Sequence, residues 1–246
     1  MKLKRTYGWY PDIPDQRDYL YSAIRPVMRL RKTVDLRSLC SIVEEQGSLG
    51  SCTAQALAGN LEFIDNKIDS IYTDVSRLFI YYNERLLIDS VGYDSGASLR
   101  DGIKSLKNSG VCEERLWPYD IKKFTKKPPA KCYQNAKGRR IKSYYRIGSL
   151  REMLICLVEG YPFVFGFTVY ESFESERVTK TGKVSMPRKG ETALGGHAVM
   201  AVGYNQNDMR FLVRNSWGRD WGMDGYCTMP FAYLETLADD FWTVRR

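Results

Sequence analysis

Apolar positions recur at helical spacing in the first half of the chain and at strand spacing in the second. Leu57, Leu61, Ile64 and Ile68, at offsets 0, 4, 7 and 11, predict an amphipathic helix beginning at Cys52, with Ser51 as its cap after the flexible turn Gly47-Ser48-Leu49-Gly50-Ser51. Leu78, Tyr81, Tyr82 and Leu86 predict a second helix from about Asp74, its expected cap, to Asp89. Leu99, Ile103 and Leu106 predict a third from Ser98 toward Gly110, a glycine suited to a left-handed stop. Ser149 and Glu152 form a capping-box pair ahead of Leu150, Leu154, Leu157 and Val158, and Gly160 terminates that short helix. Beyond it, Phe163 to Val169, Ala198 to Tyr204, Arg210 to Arg214 and Tyr226 to Met229 are β-branched or aromatic runs bounded by Gly, Asn and Asp, the pattern of antiparallel strands. Helices first and strands second imply an α+β architecture in two subdomains rather than alternating βαβ units. Residues 1–33, rich in Tyr, Pro and Arg, read as an extended arm or short pro-segment packed over the body.

Composition narrows the class. With 246 residues, 43% apolar and 27% charged, the chain can bury a real core and is neither a disordered tail nor a fibre. No apolar run approaches the roughly 20 residues of a membrane-spanning helix. Charges and prolines in the first twenty residues stand where a secretory signal would be apolar, so the expected location is cytoplasmic, or outside the cell by a non-classical route. The net charge of +8 permits attraction to polyanions without establishing it. Residues 121–146 hold ten Lys or Arg and no Asp or Glu; they read as a solvated connector, with weak polyanion contact, helped by Tyr133, Tyr144 and Tyr145, as the sharper alternative. Six cysteines (Cys40, Cys52, Cys112, Cys132, Cys156, Cys227) lack CxxC or zinc spacing, so no metal or other cofactor is implied. In a reducing compartment they are buried thiols, although Cys112 and Cys132 could pair after export.

The chemistry concentrates in three places. A cysteine in the first turn of a helix sees the positive end of the macrodipole and unpaired backbone N–H groups, which favour its thiolate. A nearby imidazolium would lower the thiol pKa from about 8.5 to roughly 3.5–7.5. His197 is the sole histidine, so the base can only be that residue. Gln46, six residues before Cys52, could aim its amide at an oxyanion beside the Cys52 backbone N–H, and Asn215 would orient the His197 ring. Taken singly, Cys52 reads as a buried small hydrophobe and His197 as a strand histidine; together with Gln46 and Asn215 they read as a nucleophile with its base.

The turn from Gln46 to Cys52, the run Gly195-Gly196-His197-Ala198-Val199 and the block Arg214-Asn215-Ser216-Trp217-Gly218 together resemble the papain-like cysteine peptidases. His197 and Asn215 follow Cys52 by 145 and 163 residues, in the family's order, and the resemblance runs from about Val34 to the end. It implies a helical subdomain (34–145) carrying Cys52, a β-barrel-like subdomain (146–246) carrying His197 and Asn215, and a peptide cleft between them. By the same resemblance Trp217 shields the Asn215–His197 bond, and Gly96, Gly196 and Trp217 line the substrate site, Gly96 being equally a glycine that merely introduces a helix. The implied function is a cysteine endopeptidase acting on protein or peptide substrates through a thioester on Cys52. Exopeptidase or acyl-transfer activity from the same thioester is an alternative, and so is a catalytically silent peptide- or polyanion-binding relative. Three departures stand out: Leu49 replaces a disulfide cysteine, Thr53 replaces an aromatic residue, and 33 residues are too few for the family's long helical pro-region. Any latency would need another device, for which the arm with Tyr7-Gly8-Trp9 is the candidate, simple structural packing being the other reading of that arm.

Overall fold

The computed structural model describes residues 5–246. In chain order its elements are β1 (Thr33–Asp35), α1 (Cys52–Asp69), α2 (Arg77–Leu86), α3 (Leu99–Asn108), α4 (Ala130–Ala136), β2 (Ser143–Arg146), α5 (Leu150–Val158), β3 (Phe163–Tyr170), α6 (Glu176–Thr181), β4 (Ala193–Asn205), β5 (Arg210–Arg214), β6 (Tyr226–Pro230), α7 (Phe231–Leu237) and β7 (Ala238–Arg245). The strands form one antiparallel sheet in the order β2-β7-β3-β4-β5-β6, with β1 added along β4. Helices α1 to α3 pack on one side of it, giving the mixed two-lobed architecture that the pattern of residues predicted.

Two cores meet at the sheet, and the period-2 alternation of the strands divides them. On β4, Ala198, Met200 and Val202 face the helical core with α1, while Val199 and Ala201 join Phe163, Phe165 and Phe167 of β3 under α5. Strand β4 therefore belongs to both lobes, and a residue near its start stands where they part. Helix α1 is buried on every side from Cys52 to Asp65, which is why it carries polar residues, such as Gln55, Asn60 and Glu62, inside the protein. Its last turn projects past the sheet, so Ile68 of the predicted stripe is exposed.

Several local expectations are corrected. Ser51 precedes α1 but makes no side-chain cap; its Oγ bonds instead to the Tyr119 hydroxyl at 2.6 Å. Helix α2 is capped by Ser76, not Asp74, because Val75 is held in a bridge to Glu113 and the chain turns helical only afterwards. The basic stretch is no plain connector: α4 buries Cys132 and Ala136, and Ile141 follows them into the helical core. Cys112 and Cys132 are free buried thiols that interact with one another. Ser149 caps α5 as expected, Ser98 caps α3, and Gly110 and Gly160 stand at positive φ behind the two helices. Among the described residues no helix is long and apolar enough to cross a membrane.

Candidate functional site

The turn from Gln46 to Ser51 sets the nucleophile. Gly47 takes a positive φ of 64°, and the Asp94 carboxylate accepts from the Gly50 N–H at 3.0 Å, so the chain enters α1 with Cys52 as its first residue. The thiol is fully buried, against the backbone of Ala198 on one side and Gly8 on the other. Ala198 follows His197, so the backbone beside the Cys52 thiol adjoins the histidine along β4. The imidazole projects from β4 opposite Phe167, and its Nε2 lies 2.8 Å from Asn215 Oδ1. That oxygen also accepts from the Ser216 N–H at 2.9 Å, which fixes the amide orientation and makes His197 Nε2 the protonated nitrogen. Among the described residues His197 Nδ1 has no hydrogen-bond partner and is left as the ring's free base position. The Trp217 indole lies beside the imidazole, centroid to centroid 5.0 Å, and His197 and Asn215 are both buried.

Gln46 is fully buried; Ser216 Oγ donates to its Oε1 at 2.6 Å, which turns Nε2 toward the cleft, where it donates to Leu49 O at 3.0 Å and lies 3.5 Å from Thr6 O. The amide thus faces a carbonyl oxygen of the arm.

The arm itself runs through the cleft. Ala97 N–H donates to Gly8 O at 2.7 Å, Trp9 N–H to Gly196 O at 3.0 Å, and Tyr10 N–H to Ala97 O at 3.4 Å, so residues 8–10 bond to both walls. A Cβ on Gly96 would overlap Gly8, and one on Gly166 or Gly196 would overlap Trp9. These glycines give the arm its room, while the backbone bonds to the arm on the Gly96 wall are made by its neighbour Ala97. The Tyr7 ring stands edge-on to His197, with centroids 6.3 Å apart, and its hydroxyl donates to Glu174. Further along, Asp12 ties the arm to both lobes: it accepts from the Arg100 N–H of α3 at 3.0 Å and from Trp242 Nε1 of β7 at 2.8 Å, and its own N–H donates to Asp240 at 2.7 Å. Grooves of about 720 and 800 Å³ open elsewhere, around Arg37 and Tyr226 and around Tyr204 and Thr228, and neither reaches Cys52.

Under this cover the electrostatics invert the sequence expectation. Burial pushes the Cys52 thiol up to about 11, although the Ala198 and Gly8 backbones favour the thiolate. Burial also lowers His197 to about 4, against the Asn215 hydrogen bond and helped by the Arg5 charge. The pair is therefore neutral thiol and neutral imidazole while the arm is seated. Desolvation outweighs the helix N-terminus, whose field is worth about 0.3–1 kcal/mol.

Reasoning from sequence missed one partner of this site. Thr53 donates its hydroxyl to Glu84 Oε1 of α2 at 2.7 Å, and both residues are fully buried beside Cys52. Burial holds Glu84 up to about 8, so it is a protonated acid at neutral pH. The unusual Thr53 was the only hint, since a polar residue there requires a buried mate.

A cysteine at the head of a central helix, packed against the strand that bears a histidine hydrogen-bonded to an asparagine, is the arrangement of the papain-type thiol peptidases. The chain belongs to that family: the model of the papain family cysteine protease matches residues 30–233. It is 43% identical to an uncharacterized peptidase C1-like protein of Acanthamoeba polyphaga mimivirus, over 99% of this chain and 88% of that one. It is 30% identical to the thiol protease aleurain of Arabidopsis thaliana, over 81% of this chain and 56% of that protein. Among solved structures it superposes on xylellain, a cysteine protease from Xylella fastidiosa, with a TM-score of 0.90 and 41% identity, covering 97% of this chain and 95% of that one.

Proposed function

We propose that the protein is a cysteine endopeptidase, with Cys52 as nucleophile, His197 as acid and base, Asn215 as the residue that orients the ring, and Gln46 with the Cys52 N–H as the oxyanion site. The observation that carries this reading is that Cys52, the His197 ring and Gln46 Nε2 all border one short stretch of polypeptide: Gln46 Nε2 lies 3.5 Å from Thr6 O, the Tyr7 ring stands 6.3 Å from the imidazole, and the Gly8 backbone lies beside Cys52. A substrate lying where those residues lie would meet the sulfur, the free imidazole nitrogen and the amide donor together. His197 Nδ1 takes the thiol proton as sulfur attacks the scissile carbonyl, then delivers it to the departing amine; water hydrolyses the thioester with the same nitrogen as base. The charge on the tetrahedral oxygen is held by Gln46 Nε2, a donor whose loss costs about 10²–10³ in kcat in comparable sites.

In this reading residues 5–12 keep the enzyme latent, since the arm fills the cleft, lies against Gln46 Nε2 and Cys52, and sets its Tyr7 ring beside the His197 imidazole. Release returns water to the cleft, lets the thiol ionise and raises the imidazole toward its usual range. Hydrolysis of a fluorogenic peptide-amide panel under reducing conditions between about pH 5 and 8 tests the proposal. Turnover is expected to fall by about 10⁴-fold or more in Cys52→Ala and in His197→Ala, and by about 10²–10³-fold in Gln46→Ala. Full turnover in Cys52→Ala would overturn it. Mass spectrometry of the products separates internal cleavage from trimming of chain ends and from acyl transfer.

A further inference from the structure

The arm leaves one feature of the cleft unexplained by the reaction. Arg5 extends over Trp217, its guanidinium carbon 4.8 Å from the indole centroid, and its two terminal nitrogens meet the Glu45 carboxylate oxygens at 2.5 and 3.4 Å. The Arg5 side chain is only 16% exposed there. Glu45 is a half-exposed acid, its side chain 45% exposed, but its position is fixed by the body of the protein. Its residue bridges to Trp217 in the body of the protein, and Glu45 Oε1 accepts from the Gly47 N–H at 2.8 Å, which aims the carboxylate without help from the arm. An aromatic face beside a fixed carboxylate matches the two recognition modes of a guanidinium, stacking and a forked ion pair; the compact ammonium of lysine satisfies them less well. In a chain of net charge +8, an acid at the edge of the cleft also works against the overall charge.

We propose that Glu45 and the face of Trp217 form a guanidinium subsite on the His197 side of the cleft, held by Arg5 while the arm is seated and taken by an arginine of the substrate once it leaves. This rests on the peptidase reading and adds a substrate class to it: peptides with an arginine about three residues from the one lying against Cys52, the separation of Arg5 from Gly8. The glutamate is a specificity residue and takes no part in bond breaking.

The test uses the full chain carrying Cys52→Ala, Arg5→Ala and Trp9→Ala, so that nothing is cleaved and the tethered arm is loosened. Fluorescent peptides of the sequence Arg5 to Asp12 are titrated in with Arg, Lys, citrulline or Ala at the first position. The arginine peptide is expected to bind about tenfold more tightly than its neutral isostere citrulline at low salt, the combined scale of a cation–π contact and a partly exposed ion pair, with lysine between them. The preference should shrink with salt and vanish in Glu45→Gln. Equal affinity for arginine and citrulline, or a preference that survives Glu45→Gln, overturns the proposal. If no peptide competes with the tethered arm, a double-mutant cycle of Arg5→Ala and Glu45→Gln in the Cys52-containing chain decides, read as the rate of Cys52 alkylation. Non-additive effects support the pair and additive ones overturn it. Because the binding is read on a chain that cannot turn over, failure of the peptidase reading leaves it interpretable, and failure of the subsite leaves turnover untouched as evidence for the peptidase.

Discussion

Thr53 and Glu84 illustrate how one substitution next to a nucleophile is answered by another at a distance. The hydroxyl donates into a carboxyl group that burial keeps protonated, so the hydrogen bond lies between two neutral groups and no bare charge stands beside Cys52. Thr53→Val removes the donor and leaves a buried acceptor unpaired; it should cost about 1–3 kcal/mol, read as a lower urea midpoint. For Glu84 the folded-state value of about 8 exceeds the ordinary 4.5, so its contribution is complete below the lower value and is lost as pH rises through the higher one. Stability should decline from about pH 5 to 8.5, and less steeply in Glu84→Gln, a neutral isostere at every pH. His197 has the opposite sense: a base buried neutral resists charging, so acid below its usual 6.5 erodes the arm-seated state down to about pH 4. The roles suggested for Cys52, His197, Asn215 and Gln46 could be read from their order and company along the chain. Glu84 and Glu45 could not, because their significance depends on which side chain arrives opposite them.

At the scale of elements, the strong amphipathic patterns located the helices, while their ends were decided by bonding that no periodicity carries. Residues 74–75 had the look of a helix start until tertiary pairing with Glu113 claimed them, and Ser76 then accepted from the Phe79 N–H at 3.1 Å. Ser76→Ala should lower stability by about 1 kcal/mol or more, since its hydroxyl also donates to Trp117 O, whereas Asp74→Ala should lack a capping penalty; thermal melts of the two variants distinguish them. Strand β7 escaped notice for a related reason. Asp239 and Asp240 interrupt its apolar run, and Asp240 sits at a φ of 56°, a conformation foreign to a strand. Those acids are there to meet Arg146, which lies 3.0 Å from Asp240 and 3.1 Å from Asp239. Strands β1 and β2 are too short to announce themselves by alternation and exist because β4 and β7 offer them edges.

For the molecule as a whole, the acids around Asp12 make the seating of the arm depend on pH. Burial, with Asp12 close by, raises Asp240 to about 7, against the pull of Arg146. The surrounding groups are Asp12 and Asp18 of the arm, Arg100 of α3, Arg146 of β2 and Asp239 of β7. A carboxyl with a raised value favours the seated form at low pH and opposes it as pH climbs through about 7. The ratio of Cys52 alkylation rates in wild type and Asp240→Asn, which cancels the ionisation of the thiol itself, should therefore rise from pH 5 to 8.5. Trp9→Ala, which empties the space over Gly166, should speed alkylation by about two orders of magnitude at any pH in that range.

Beyond Asp12 the chain is pinned to the body again at Asp18, paired with Arg100, and at Tyr21, fully buried with its hydroxyl on Glu159, so the segment that fills the cleft hangs from the body on a short leash of residues 13–17. A ligand on such a leash competes at an effective concentration in the millimolar range, whatever the concentration of the protein. An arm whose free sequence bound with a dissociation constant of about 1 mM would still occupy the site half the time, and each further 1.4 kcal/mol of contact multiplies its occupancy ratio by about ten. Diluting the protein cannot open the cleft, and a substrate at micromolar levels meets only the open fraction, so its apparent affinity is scaled down by that fraction. Cutting that leash between Asp12 and Asp18 would turn the tethered occupant into an ordinary, dilutable competitor.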